Sequence, residues 1–347
     1  MGKTKVAIIC GGKSSEHEIS CISASGVLAA IDRNLFDVEL IGITKSGKWL
    51  YLPEDTTFKI SNGVLPQIPD SGVGVSITSD GLVVEGKKLE IDVAFPILHG
   101  PYGEDGTIQG LFEMIQLRYV GSGVLASAVS MDKSYAKPIF TAAGLKVAPG
   151  IVVTNSQTNL PDSLSYPLFV KPARSGSSRG TTKVKKSEQL KLAIDAALEF
   201  DSKVIIEQAI SGREIECAVL ESEGKLIVSP VGQIVISDKY EFYDFQAKYL
   251  DDSMKLIFPS DLPTGVEAMF QQNALTAFKS AGCEGLARID FFYSDKGELI
   301  INEINTMPGF TPTSVYPKLM EKLGISYQKL ITTLIQTAKS RSIKITR

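Results

Sequence analysis

RIDFFYSDKGELIINEIN, from Arg288 to Asn305, holds two apolar runs separated by Ser-Asp-Lys-Gly. Strand-forming residues on either side of a turn cluster predict an antiparallel hairpin. Asp290 ends the first strand, and Glu303 and Asn305 lie two apart on the second, so alternation puts Glu303 and Asn305 on one face. A hairpin can bring Asp290 opposite them and gather an all-oxygen cluster. Hard oxygen ligands suit Mg²⁺ bridging nucleotide phosphates. The competing reading is a set of surface acids capping a hairpin. Against it, INEIN is an apolar strand, where an acid and an amide need partners. The following MPGFTP, with Gly309, offers backbone donors beside such a metal.

KPARSGSSRG (Lys171–Gly180) leaves the apolar run LFV and packs two Gly, three Ser, two Arg and one Lys into ten residues. Glycine lets backbone N–H groups turn toward a phosphate, and hydroxyls and cations add donors; a solvated hairpin turn is the plainer alternative. Two other nucleotide signatures fail. Gly12-Lys13-Ser14 has Ala7 where a P-loop needs its first glycine, and GSGVLA (Gly121–Ala126) lacks the acidic residue about 20 positions on, so it reads as a glycine turn. EFYDFQAKYL (Glu241–Leu250) gives no clean period-two alternation. His99 ends an apolar strand where ligands gather in α/β sheets, with a hydrogen-bonded structural histidine as the equal alternative. Glu207, Glu214 and Lys133 on their own pass for surface charges.

Around these motifs the chain divides into three. Strands KVAIIC, DVELIGIT and DVAFPILHG alternate with helices, implying a parallel sheet with covered faces over residues 1–130, and GLVVEGKKLEI reads as an inserted hairpin. Residues 131–229, with LFVKPA, TTKVK, KVIIEQAI and EIECAVLESEGKLIVSP around one helix, read as a small α+β domain. Residues 230–347 hold a helix at VEAMFQQNALTAFKSAG, the opening hairpin and two closing helices. A chain of 347 residues suits two or three domains. Its net charge of −3 argues against a nucleic-acid or membrane-surface binder. Four scattered cysteines without a C-x-x-C pair read as reduced thiols, and the N-terminal apolar run is too short for a signal or span, so the expected location is the cytoplasm.

Taken together, GGKSSEHEIS, LHGPYGEDGTIQG, GSGVLASAVSMDK, FVKPARSGSSRG, EFYDFQAKY, ARIDFF and INEINTMPGFTPTS resemble, in order, the motifs of the D-alanine–D-alanine ligase family of the ATP-grasp fold, over Gly11 to Ser314. The resemblance implies an α/β (α+β) three-domain fold: an N-terminal parallel-sheet domain, a small central domain, and a C-terminal domain, with ATP between the last two. It implies a two-step ligation of two D-alanines through an acyl phosphate, for peptidoglycan synthesis, with ATP as co-substrate and two Mg²⁺ ions for which Mn²⁺ can substitute. By position, Asp290, Glu303 and Asn305 match the family's metal ligands. Lys133 and Lys171 match its phosphate lysines, and Lys248 its γ-phosphate lysine on a lid. Arg288 and the Gly309 backbone match its oxyanion donors, and Glu207 and Glu214 its adenine and ribose contacts. Glu16 matches the residue receiving the first ammonium, His99 lines that subsite, and Ser314 matches the holder of the second carboxylate. Glu16, Ser177 and Tyr249 match a hydrogen-bonded set joining N-terminal domain, glycine loop and lid; on this reading EFYDFQAKYL closes over ATP and keeps water from the acyl phosphate. The family also implies a homodimer. The alternatives are a D-alanine–D-lactate ligase, disfavoured by Tyr249, a non-catalytic nucleotide binder, disfavoured because no metal ligand or lysine is lost, and an NAD enzyme resting on GSGVLA.

Overall fold

A computed structural model describes residues 2–61, 63–157, 160–236, 254–259 and 261–342. The stretch Glu241–Leu250, with Lys248 and Tyr249, lies outside the described residues.

The first sheet begins with β1 (Thr4–Gly11), whose last six residues are all buried. A strand with no exposed face must be covered on both sides, which is the signature of parallel pairing. β1 indeed pairs in parallel with β2 (Phe36–Ile43) and with β7 (Val93–Pro96), and β7 in parallel with β8 (Arg118–Tyr119). Helices α1 (His17–Ala30) and α2 (Thr107–Met114) supply the crossovers. The sheet is not parallel throughout, as the sequence suggested. β3 (Trp49–Leu52), β4 (Val73–Thr78), β5 (Gly81–Val84) and β6 (Lys87–Lys88) extend it as an antiparallel meander, in which only the β3–β4 link, residues 53–72, is longer than a short turn.

After α3 (Val124–Met131) and α4 (Lys133–Ala142) comes a four-stranded antiparallel sheet in the order β11-β10-β12-β9. These strands are β9 (Gly150–Val153), β10 (Leu168–Pro172), β11 (Thr182–Val184) and β12 (Val204–Gln208). Helix α5 (Ser187–Leu198) closes it, and Val170, Leu168, Ile194 and Ile206 form its own core.

The third sheet contains β13 (Gly212–Ser222), β14 (Lys225–Val228), β15 (Gly232–Ile236), β16 (Met254–Ile257), β17 (Leu286–Ser294) and β18 (Leu299–Asn305). Here the structure differs from the sequence reading. EIECAVLESEGKLIVSP, assigned to the central unit, forms β13 and β14, and β13 pairs with β17 from Gly212 to Leu220. The sheet changes between Gln208 and Gly212, ahead of the expected boundary at 229/230. One face of this sheet carries α6 (Val266–Ser280) together with Ala136 and Phe140 of α4. Phe140 is fully buried, a contribution of roughly 1.5–3 kcal/mol. The other face carries α7 (Val315–Lys322) and α8 (Tyr327–Ser340), which also pack against the first sheet, so Val6, Phe95, Phe310, Tyr316 and Leu334 share one core. The first and third sheets are thereby fixed to one another, and the central sheet stands across a cleft from the third.

Candidate active site in the cleft between the second and third sheets

The hairpin expected at 288–305 is β17 and β18. Arg288 is paired with Asn305 and Asp290 with Glu303, with a bulge between Asp290 and Phe291. A bulge adds a residue to one strand and re-aims the side chains beside it. Asn305 Nδ2 donates to Asp290 at 3.0 Å, so its amide oxygen is the atom available to a cation. Asp290 also accepts two hydrogen bonds from Arg288, both 2.8 Å. Arg288 lies 2.9 Å from Glu216, the residue opposite Asp290 on β13. Asp290, Glu303, Glu214 and Glu216 all line the cleft.

The facing wall is basic. Lys133, the first residue of α4, lies 3.0 Å from Glu303 and donates to the Ser175 carbonyl at 3.2 Å. Burial would lower its pKa, but Glu303, with Glu207 and Asp132, more than offsets burial and raises it. Lys171 on β10 pairs with Glu207 at 2.6 Å and reaches Asn302 Oδ1 at 3.4 Å. The other oxygen of Glu207 pairs with Lys137, one turn beyond Lys133. Burial alone would raise the Glu207 carboxyl; Lys171 and Lys137 together pull it down to about 2. Lys137 moves the other way from Lys133: burial, reinforced by the charges of Lys171 and Lys133, lowers it in spite of Glu207. The Glu207 carboxylate is therefore engaged by two lysines.

The glycine loop lies above this wall. Ser177 and Ser178 have φ of 51° and 56°, a left-handed conformation costing a non-glycine residue roughly 1–2 kcal/mol. In it the Ser177 hydroxyl donates to Glu16, at the N-terminus of α1. Glu16 is buried and tightly enclosed: a Cβ on Gly100 would stand 2.4 Å from its Oε2, and one on Gly176 3.2 Å. The first sheet, the 100-loop and the glycine loop thus converge on one carboxylate.

His99 is the structural histidine of the two readings. Nδ1 faces the Met307 carbonyl at 3.0 Å and must carry the proton, while Nε2 accepts from Ser23 at 3.1 Å. Burial lowers its pKa, against the pull of Glu16, so the ring is neutral. Both nitrogens are spent inside the protein. Met307 N–H in turn donates to Glu104 at 3.2 Å, and Gly100 N–H to the same carboxyl at 2.7 Å. Burial, aided by Glu16, raises Glu104 to about 8. Gly309 and Ser314 are adjacent, since a Cβ on Gly309 would be 3.2 Å from Ser314 Oγ. Ser314 is the N-cap of α7, whose positive end suits a carboxylate.

The sequence reading named neither Lys137, Glu216 nor Glu104. Two signals were available. Lys137 follows Lys133 at the i,i+4 spacing of one helix face, and Glu216 follows Glu214 at the two-residue spacing of one strand face. Glu104 had none, because its partners are Gly100 and Met307 on separate parts of the chain.

Residues 5–122 match the family model described as D-ala D-ala ligase N-terminus, and residues 139–336 match D-ala D-ala ligase C-terminus. The D-alanine--D-alanine ligase of Arthrobacter sp. (strain FB24) is 49% identical, over 98% of this chain and 95% of its own. Among solved structures, the VanG D-Ala:D-Ser ligase from Enterococcus faecalis is similar at a TM-score of 0.83 and 36% identity, covering 97% of this chain and 100% of that one. The D-alanine--D-alanine ligase from Bacillus anthracis complexed with ATP gives 0.72 at 27% identity, covering 96% and 97%.

Proposed function

The chain belongs to the D-alanine–D-alanine ligase family of ATP-grasp enzymes, and from that premise we propose that it joins two D-alanines at the expense of ATP through an acyl phosphate, for peptidoglycan precursor synthesis. The observation that carries this reading is the pairing of a lysine wall with an oxygen-ligand hairpin across one cleft. Phosphoryl transfer between two anions needs positioning and charge neutralisation more than covalent help.

Asp290 and Glu303 line the cleft and Asn305 is hydrogen-bonded to Asp290 beside them, an oxygen-donor set that fits Mg²⁺. Two Mg²⁺ ions held there would neutralise charge on the phosphates as the first carboxylate approaches. Lys133 and Lys171 bind the same phosphates from the opposite wall, and Glu214 holds the ribose. Glu207 sits in the adenine region with its carboxylate committed to lysines. Glu16 receives the first ammonium at the point where three segments converge. Arg288 and the Gly309 N–H stabilise the oxyanion of the second step. Ser314, with the N-terminus of α7 behind it, holds the second carboxylate. Lys248 and Tyr249 complete the γ-phosphate and lid contacts on this reading. The cytoplasmic setting and the homodimer belong to the same proposal; among the described residues no helix is long and apolar enough to cross a membrane.

The purified protein with ATP and Mg²⁺ is expected to release phosphate only when D-alanine is present. L-Alanine should not replace it. Because the VanG relative is named for D-Ala:D-Ser ligation, D-serine and D-lactate are offered beside D-alanine and the products separated by mass. Phosphate release indifferent to D-alanine would sink the reading, and a mixed product would move the second subsite to the other amine or hydroxy acid.

A further inference from the structure

The lysine wall holds an imbalance. Lys133, Lys137 and Lys171 face two carboxylates, Glu207 and Glu303, so among the described residues the cluster has one positive charge in excess. Asp132 does not offset it, since it is matched by Lys203. Glu207 divides its oxygens between two of the lysines, and these differ in position. Lys171 lines the cleft and reaches toward Asn302. Lys137 lies behind Glu207, nine-tenths buried, with Ala136 beside it in the core of the third sheet.

We propose that Lys137 is a positioning residue of the nucleotide site, the standing counter-ion of Glu207 that allows Lys171 to turn to the phosphates of a nucleoside triphosphate. The inference rests on the nucleotide reading above. With Lys171 as its sole partner, Glu207 would hold that lysine fast, because withdrawing it would strip a carboxylate whose side chain is only 4% exposed. With Lys137 in place, Lys171 exchanges partners and one ion pair stays intact. Lys137 itself touches neither phosphate nor substrate.

The test measures equilibrium binding of a non-hydrolysable ATP analogue with Mg²⁺ to the full chain by calorimetry, alongside KM values. Lys137→Gln is expected to weaken analogue binding about tenfold, in the range of couplings within one ion-pair network, and to leave the KM for D-alanine unchanged. Adding Glu207→Gln to that variant removes the trap for Lys171 and tightens binding about threefold over Lys137→Gln, while Lys137→Arg alone keeps affinity within about threefold of wild type. A purely structural role predicts no rescue from removing a second charge. Wild-type affinity in Lys137→Gln, or a double variant no tighter than the single, overturns the proposal. Should Lys137→Gln fail to fold, Lys137→Arg and the double variant decide: Lys137→Arg near wild type and a double variant that binds as tightly as Glu207→Gln alone support it, and a tenfold loss in either comparison overturns it. A wild-type chain that binds no nucleotide overturns the ligase reading itself, an outcome distinct from equal binding by wild type and variant.

Discussion

The two walls of the cleft carry opposite excess charge although the whole chain is close to neutral, at −3. Among the described residues, the lysine side sets three cations against Glu207, with Glu303 of the hairpin facing Lys133. On the hairpin side Arg288 stands between Asp290 and Glu216, one cation against two acids. Both clusters are largely buried, where uncompensated charge is expensive, so neither surplus persists without a use. On the proposed function the lysine wall takes the phosphates and the hairpin wall the cations. The difference also explains why no single motif revealed the site: each wall is half of a charge pattern.

The comparison breaks most readily on the hairpin side. Glu303→Gln is expected to lower turnover by roughly 10²–10³-fold, with far-ultraviolet circular dichroism unchanged. Retained activity would move the metal ligands elsewhere. Glu216→Gln acts through Arg288, whose guanidinium loses one of its two acidic anchors, and a drop of about tenfold in kcat is expected. Restoration by Glu216→Asp would separate anchoring from mere loss of charge, and an unchanged kcat would show that Asp290 suffices to hold Arg288.

The remaining effects are on stability and its pH dependence. Glu207 titrates at about 2 when folded, below the roughly 4.3 of an unfolded chain. Its contribution is present above that higher value and is lost as pH falls toward 2, by about 3 kcal/mol in all. Denaturation at successive pH values should therefore show the gap between wild type and Glu207→Gln closing over that window. Glu104 has the opposite sign. Its carboxyl titrates at about 8 when folded, so its contribution is full below about 4 and is lost as pH rises toward 8. Glu104→Gln should flatten that slope, and a slope the same in both proteins would place the buried charge on another group.

The hairpin was legible because alternation and a turn cluster are local, and they fixed Asp290, Glu303 and Asn305 on facing strands. The bulge after Asp290, which sets their register, left no local mark. EIECAVLESEGKLIVSP was legible as strands but not as part of the third sheet, since an antiparallel strand carries no label for its partner, here β17 some 70 residues on. The antiparallel half of the first sheet was glimpsed in GLVVEGKKLEI alone. His99 shows the same limit: its two readings differed only in whether its nitrogens find partners, and one partner, Met307, lies 208 positions away.

The peptide at Met307 is gripped from both sides by the first domain, its N–H by Glu104 and its carbonyl by His99. It stands between Asn305 and Gly309, so the loop 99–104 sets the pitch of the chain as it runs from the hairpin to its backbone donor. For protein engineers this makes the two segments one transplantable cassette. A chimaera that takes its N-terminal domain from one relative and its C-terminal domain from another inherits an aligned centre only if residues 99–104 and 305–309 come from the same parent.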